Sequence, residues 1–346
     1  MVLIQDRITV ASGKLNVVQQ LFRDRYVEPA MKRGLTLLES HVSPPLLLAN
    51  GAATLWLRWQ VSDVGAWWAM RAQAGTPDVA NFWQAVDELC EQRERIYLSD
   101  DVQQALQGPQ DISACMINTR GHRETAQLAL KKGLTAEDKA ALVEQLQIAR
   151  SLDGLEAFSV SENLAPDYAA GHFTLDLLYS SEQVARNAIA SSIWREQIAP
   201  VLVRYCETCH ALALDTISAG LRSRGLSNSI KRTAFFRLLP GVAADIAERF
   251  ENDLLEMPAQ IPEILNWRLS RAAPADWNTN DQPWTYVWEQ EFESLDDLLG
   301  PYMTNPHHWA HIDRWFDPES GVQAIDVNLS HAFSPLADSL ITKEAE

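Results

Sequence analysis

Four of the chain's eight histidines fall between positions 307 and 331. His307, His308 and His311 sit in the run from Asn305-Pro306 to Trp315, and His331 stands at the end of a strand-like stretch that opens at Val322. Imidazole titrates close to neutrality, so this part of the chain is the best equipped to move protons. His308 is the candidate general acid–base group. Tyr302, a short way upstream, can orient it or donate to a developing enolate or phenolate oxygen. The alternative for His308 is a structural tie at a proline-marked helix start.

Arg232 shares a strand face with Ala234 and Phe236. If that face lines the interior of a barrel, its guanidinium binds a carboxylate or phenolate; if it faces outward, it is a surface charge. Trp284, Tyr286 and Trp288 fall on one side of an alternating run, because side chains on a strand switch faces with period two. With Trp309 they form an aromatic set in which Trp284, Trp288 and Trp309 are expected to sandwich a ring. Twelve tryptophans is a high count, and five lie between Trp56 and Trp83 and six between Trp267 and Trp315, which leaves room for aromatic-lined cavities.

Cofactor sites are less well supported. His307 and His311 are four apart and would share a helix face, with Glu289 or Glu291 as a further metal ligand. The adjoining Asp313, Arg314 and Asp317 read instead as a solvated face. Cys206-Glu207-Thr208-Cys209-His210 has the form of a c-type haem attachment. That chemistry normally accompanies export, and the segment also reads as the turn into a strand. Cys90 and Cys115 read as small buried hydrophobes. No glycine-rich phosphate loop appears. The expectation is a site with no cofactor and no metal.

The elements that must position these residues come from the rest of the chain. Its 346 residues are 47% hydrophobic, enough for real cores. A net charge of -17 argues against nucleic acid or a membrane surface as partner. No apolar run is long enough to span a bilayer. The first residues, from Met1 to Arg7, lack the features of a signal peptide, so a cytoplasmic location is expected.

Strand and helix signals recur three times in the order β-α-β-β-α-β, over 1–99, 111–218 and 230–336. Asp63 and the Thr135/Asp138 pair are helix caps, Asn50-Gly51 is a hairpin signal, and Ser99–Gln110 reads as a linker. The expected fold class is α+β, with three tandem ferredoxin-like domains, each a four-stranded antiparallel sheet with helices on one face. The other face of each sheet needs cover, which two such sheets provide by closing into a barrel. Three is an odd number, so a homodimer is expected, with the unmatched unit pairing across chains.

The third unit resembles the stress-responsive dimeric α/β-barrel (Dabb) family. The likeness rests on Lys231–Val242, on Trp284–Phe292 and on Asn305-Pro306-His307-His308-Trp309. The second unit is similar to a divergent copy, and the first to the NIPSNAP-type branch of the same superfamily. The resemblance implies paired sheets, and activities ranging from polyketide cyclisation to cofactor-free lyase or isomerase steps in aromatic catabolism. In a polyketide-cyclising member, a histidine and a tyrosine of the site fall on His308 and Tyr302. Its first-strand histidine falls on Arg232, and its third-strand pocket positions on Tyr286 and Trp288, which are different residues here. The first two units keep Trp83 and Trp194 but carry Phe82 and Ile193 where the histidine would stand.

Together these readings point to a cofactor-independent lyase, decarboxylase, cyclase or isomerase acting on an aromatic or polyketide-like small molecule. His308, Tyr302 and Arg232 would be catalytic, and Trp284, Tyr286, Trp288, Trp309 and Phe236 would bind substrate. The alternative is a non-catalytic, stress-related binding protein with structural histidines. A barrel interior packed with side chains would favour that alternative.

Overall fold

The computed structural model describes residues 1–46, 48, 50–99, 106 and 108–345. Most of the expected linker Ser99–Gln110, and Leu47 in the flank of the Asn50-Gly51 turn, lie outside the described residues. The chain divides into two compact units. Unit 1 is Met1–Pro109 with Ala243–Leu254 and Met303–Val327; unit 2 is Gln110–Val242, Leu255–Tyr302 and Asn328–Glu346. Two segments of the third repeat are therefore counted with the first. Among the described residues no helix is long and apolar enough to cross a membrane.

Unit 1 contains one antiparallel sheet of β1 (Val2–Ala11), β2 (Thr36–Ser43), β3 (Ala52–Val61) and β4 (Cys90–Leu98), in the order β2-β3-β1-β4. Alternation decides its faces. Val2, Ile4, Ile8 and Val10 of β1, with Leu55, Leu57, Trp59 and Val61 of β3, are buried. They pack with Leu15, Val18 and Phe22 from helix Leu15–Arg25 and with Phe82, Trp83 and Val86 from helix Pro77–Asp87. Asp63 caps helix Val64–Arg71 as its position predicts, its Oδ1 accepting from the Ala66 amide at 2.8 Å. Helix Pro77–Asp87 ends where it does because Cys90–Leu98 pairs with β1, and ladder formation overrides local preference.

Glu319 ties the Met303–Val327 segment into this core. Its carboxylate accepts from Arg33 at 2.9 Å, Arg95 at 3.0 Å and the Trp83 indole at 3.0 Å, and also from the Tyr26 hydroxyl. Burial opposes its charge, but Arg95 and Arg33 hold the carboxyl well below the usual carboxylate range.

Unit 2 carries the strands of the second and third repeats in a single sheet. β5 (Met116–Ile117) is a short extra strand on β9. The second repeat supplies β6 (His122–Leu130), β7 (Leu155–Glu162), β8 (Phe173–Tyr179) and β9 (Cys206–Leu221). The third supplies β10 (Ser227–Phe236), β11 (Asn266–Pro274), β12 (Tyr286–Phe292) and β13 (Ser330–Asp338). The path is β13-β10-β12-β11-β9-β6-β8-β7, so each repeat keeps a ferredoxin-like order and the two join along β11 and β9. At the far edges the Leu164 amide donates to the Phe333 carbonyl at 2.7 Å. The repeats thus pair within one chain and curl into a barrel. The Thr135/Asp138 capping box forms as expected.

Residues from strands that are not neighbours meet inside this barrel. Lys231 of β10 lies 2.8 Å from Asp176 of β8 and 2.7 Å from Glu289 of β12. Arg123 of β6 reaches Asp176 at 2.9 Å and Glu289 at 3.0 Å, and it also pairs with Glu344 near the C-terminus. Arg268 of β11 holds the same Glu344 at 2.9 Å. The interior here is a network of paired charges.

Candidate functional site

The interior network fixes which residues face the other way. Lys231 and Glu289 point into the barrel, so their neighbours Arg232 and Gln290 point out of it. The register places Arg232 opposite Gln290 on β12 and Phe333 on β13, and Ala234 opposite Trp288 and His331. This face therefore gathers Arg232, Ala234, Phe236, Tyr286, Trp288, Gln290 and His331. Tyr286 and Trp288 belong to it, not to the barrel lining where an aromatic barrel pocket would need them.

Arg232 is 4% exposed. It donates from Nη1 to the Gln290 Oε1 at 2.8 Å and from Nη2 to the His331 Nδ1 at 2.6 Å. The Tyr302 ring lies 5.6 Å from its guanidinium carbon and packs edge-on against Phe292 at 5.3 Å. An arginine can only donate, so His331 Nδ1 accepts, and the ring is neutral in this arrangement with its proton on Nε2. Among the described residues no carboxylate pairs with Arg232; burial pulls its basicity down, and only the Tyr302 oxygen opposes that pull. Burial pushes the Tyr302 phenol above its ordinary range, with Arg232 and a hydrogen bond to Gln290 pulling it back. The cluster therefore presents one buried cation with no carboxylate beside it among the described residues, and one protonated phenol.

Of the expected pair, Tyr302 packs on Phe292 in unit 2, and the His308 ring tilts against Trp68 at 5.1 Å in unit 1. Trp309 lies in the unit 1 core beside Trp67 and Tyr97, at 5.4 Å and 5.6 Å. Trp284 precedes the strand and turns into the barrel with Phe235, Leu212, Leu214 and Val287. Trp288 is wholly buried on the opposite face of the sheet. Period-two alternation fails at Trp284 because β12 begins only at Tyr286.

His331 is the residue that sequence reasoning underused. It lies on β13, which runs over Ser330–Asp338, whereas the strand-like stretch of the sequence opens at Val322 and ends at His331. The alternation Ser330-His331-Ala332-Phe333-Ser334, with Ser330, Ala332 and Ser334 buried, was the available signal.

His307 and His311 share a helix face as their spacing predicts, with ring centroids 5.0 Å apart. His311 lies 3.3 Å from Asp253, and Arg314 and the Trp315 indole reach the same carboxylate at 2.9 Å and 2.7 Å. Among the described residues no group of three metal-ligating side chains converges. The Cys206-Cys209-His210 motif does not converge either. Both cysteines join the core under the helices, whereas His210 accepts from the Trp284 indole at 3.1 Å on the barrel side. The segment forms the start of β9, not a turn.

Two ferredoxin-like repeats whose strands join in one sheet and curl into a barrel define the α/β-barrel class. Residues 230–329, the third repeat, match the family model described as Stress responsive A/B Barrel Domain. Among solved structures, an anthrone oxidase-like protein is similar at 12% identity and a TM-score of 0.47, over 64% of this chain and 94% of its own. A mutant chlorite dismutase from Candidatus Nitrospira defluvii, in complex with cyanide, is similar at 8% identity and a TM-score of 0.39, over 72% of this chain and 100% of its own. A NIPSNAP domain protein from Burkholderia xenovorans is similar at 16% identity and a TM-score of 0.24, over 29% and 93%. No curated protein matches the chain.

Proposed function

We propose that the Arg232–Gln290–Tyr302–His331 cluster binds the anionic group of an aromatic or polyketide-like small molecule and moves a proton on it without a cofactor. The reaction class is that of a lyase, decarboxylase, cyclase or isomerase. The observation that carries this reading is the buried guanidinium of Arg232 with no carboxylate beside it. A buried cation costs several kcal/mol, roughly, unless an anion compensates it, and a bound carboxylate or phenolate would do so. Such an anion would take the guanidinium from His331 and free Nδ1 to accept a proton. Tyr302, kept protonated by burial, would donate to the developing oxyanion. Tyr286, Trp288 and Phe236 share this face and supply apolar surface. His331 thus takes the part that the sequence alone gives to His308.

Calorimetric titration of the purified chain with salicylate and with neutral salicylamide tests the binding half. Salicylate is expected to bind and salicylamide to bind at least about tenfold more weakly, the usual worth of a charge-assisted hydrogen bond. Equal binding of the two would remove Arg232 from recognition. Deuterium incorporation into ring C–H positions of phenolic acids in heavy water tests the proton-transfer half. The filled barrel interior suits the alternative, a non-catalytic binding protein, and anion binding without exchange or carbon dioxide release would establish it.

A further inference from the structure

Cys206 and Cys209 lie three residues apart on β9, a spacing that would put them on opposite faces of a regular strand. The ladder with β6 prevents this. Cys209 stands opposite Leu128, Thr208 opposite Ala129, and Cys206 opposite Leu130, with a register shift between the last two pairs. The bulge absorbs Glu207, so both cysteines stand opposite residues of one face and share it. That face is the apolar core of the second repeat, where Cys206 and Cys209 pack among Trp194, Leu202 and Trp277.

The same two side chains line a cavity of about 520 Å³ within unit 2. Trp194, Trp277, Ile189 and Leu202 give it apolar walls, and Lys131 and Thr279 stand at the cysteines. Trp194 and Trp277 meet edge-on at 5.4 Å. Thr279 is built into the site, its Oγ1 accepting from the Cys209 amide at 2.7 Å and its own amide donating to the Cys209 carbonyl at 3.0 Å. The two thiols are not equivalent. Hydrogen bonds from Cys206 and Thr279 hold the Cys209 thiol below its ordinary range, against the effect of burial. The same thiol–thiol contact, with burial, pushes Cys206 up.

We propose that Cys206 and Cys209 form a dithiol site that reacts with hydroperoxides entering this cavity. The Cys209 thiolate attacks the nearer peroxide oxygen and breaks the O–O bond. The leaving alkoxide or hydroxide takes a proton and departs as alcohol or water, and Cys209 becomes a sulfenic acid. The Cys206 thiol then attacks the Cys209 sulfur, water leaves, and a disulfide remains. Two thiols are oxidised and one peroxide is reduced. The step is independent of the Arg232 cluster, which stands on the third repeat.

The test uses the full chain treated with hydrogen peroxide or cumene hydroperoxide, followed by intact mass and peptide mapping. Loss of two hydrogens, mapped to a Cys206–Cys209 link and reversed by dithiothreitol, is the expected result. Cys206→Ser should stop at a sulfenic acid that dimedone traps on Cys209, and Cys209→Ser should give neither product. Circular dichroism before treatment checks that each variant is folded, and Cys206→Ala replaces the serine variant if it is not. Four thiols remaining free after peroxide treatment of the folded chain would overturn the proposal. So would oxidation confined to Cys90 or Cys115.

Discussion

Nη2 of Arg232 and Nδ1 of His331 stand 2.6 Å apart, so a buried cation on β10 rests on a neutral imidazole from β13. The residue before it behaves in the opposite way. Lys231, on the other face of the same strand, is held by two carboxylates at 2.8 Å and 2.7 Å. Two consecutive buried cations therefore differ in one respect: the barrel supplies carboxylates to Lys231, and among the described residues none reaches Arg232. The proposed function rests on that difference.

Replacing each cation with methionine should give opposite results. Lys231→Met strands Asp176 and Glu289 with one cation fewer, and breaking a buried pair in this way costs about 3–5 kcal/mol. Arg232→Met removes a charge that has no anion, so stability should be unchanged or should rise by about 1–4 kcal/mol while salicylate binding is lost. Urea unfolding of both variants beside the parent chain decides it. An Arg232→Met protein destabilised as much as Lys231→Met would mark Arg232 as part of the structural network.

Proton transfer should depend on His331 and Tyr302 before it depends on His308. A general acid–base group contributes about 10²–10⁴-fold in rate, so His331→Gln and Tyr302→Phe should slow ring-proton exchange by that order. His308 packs on Trp68 in unit 1, and His308→Ala should alter exchange by no more than a few-fold. Exchange rates for the three folded variants give the ranking directly. A loss confined to His308→Ala would return the proton to the residue the sequence favours.

Much of the fold could be read before any coordinates. The Asp63 cap and the Thr135/Asp138 box are local signals, and local physics decides them. The recurrence of β-α-β-β-α-β was legible for the same reason. Which repeats pair was not, because the β9–β11 junction joins strands whose partnership no short-range pattern encodes. The candidate site was half legible. Arg232 and Tyr302 carry chemistry in their residue types, but the partner of Arg232 depends on the register of β13, and the apolar run at Val322 drew that strand eight positions too early. Glu319 shows the limit most plainly. Nothing in Pro318-Glu319-Ser320 announces a carboxylate shared by Arg33 and Arg95.

Unit 1 should lose stability as pH rises through the range of one buried acid. Burial pushes Asp313 from an ordinary 3.8 up to about 6, helped by Asp317 and opposed by Arg71. A folded-state value above the unfolded one means a contribution that is full below the unfolded value and is lost as pH rises through about 6. The shift corresponds to about 3 kcal/mol between the two limits. Asp313→Asn cannot titrate, so urea unfolding at about pH 4 and about pH 8 should show the parent chain losing roughly that much relative to the variant. An equal gap at both pH values would show that Arg71 keeps Asp313 ionised throughout.

The last prediction concerns assembly. The second and third repeats cover each other's sheets within unit 2, whereas the first repeat has a sheet of its own. One face of that sheet carries the buried core positions Ile4, Ile8, Leu57 and Trp59. The other carries Leu3, Arg7 and Thr9 of β1 opposite Gln60, Trp56 and Thr54 of β3, all of them half-buried. A second copy presenting the same face would close a barrel about a two-fold axis, the commonest symmetry of soluble oligomers. The Arg7–Glu94 pair at 2.9 Å lies on this face and would become buried with it. Sedimentation equilibrium at micromolar concentration should therefore give a homodimer. Trp56→Lys places a charge at the centre of the contact and should yield a folded monomer with the thermal stability of unit 2 intact. A parent chain that sediments as a monomer across the concentration range would show that the first repeat's sheet needs no partner copy.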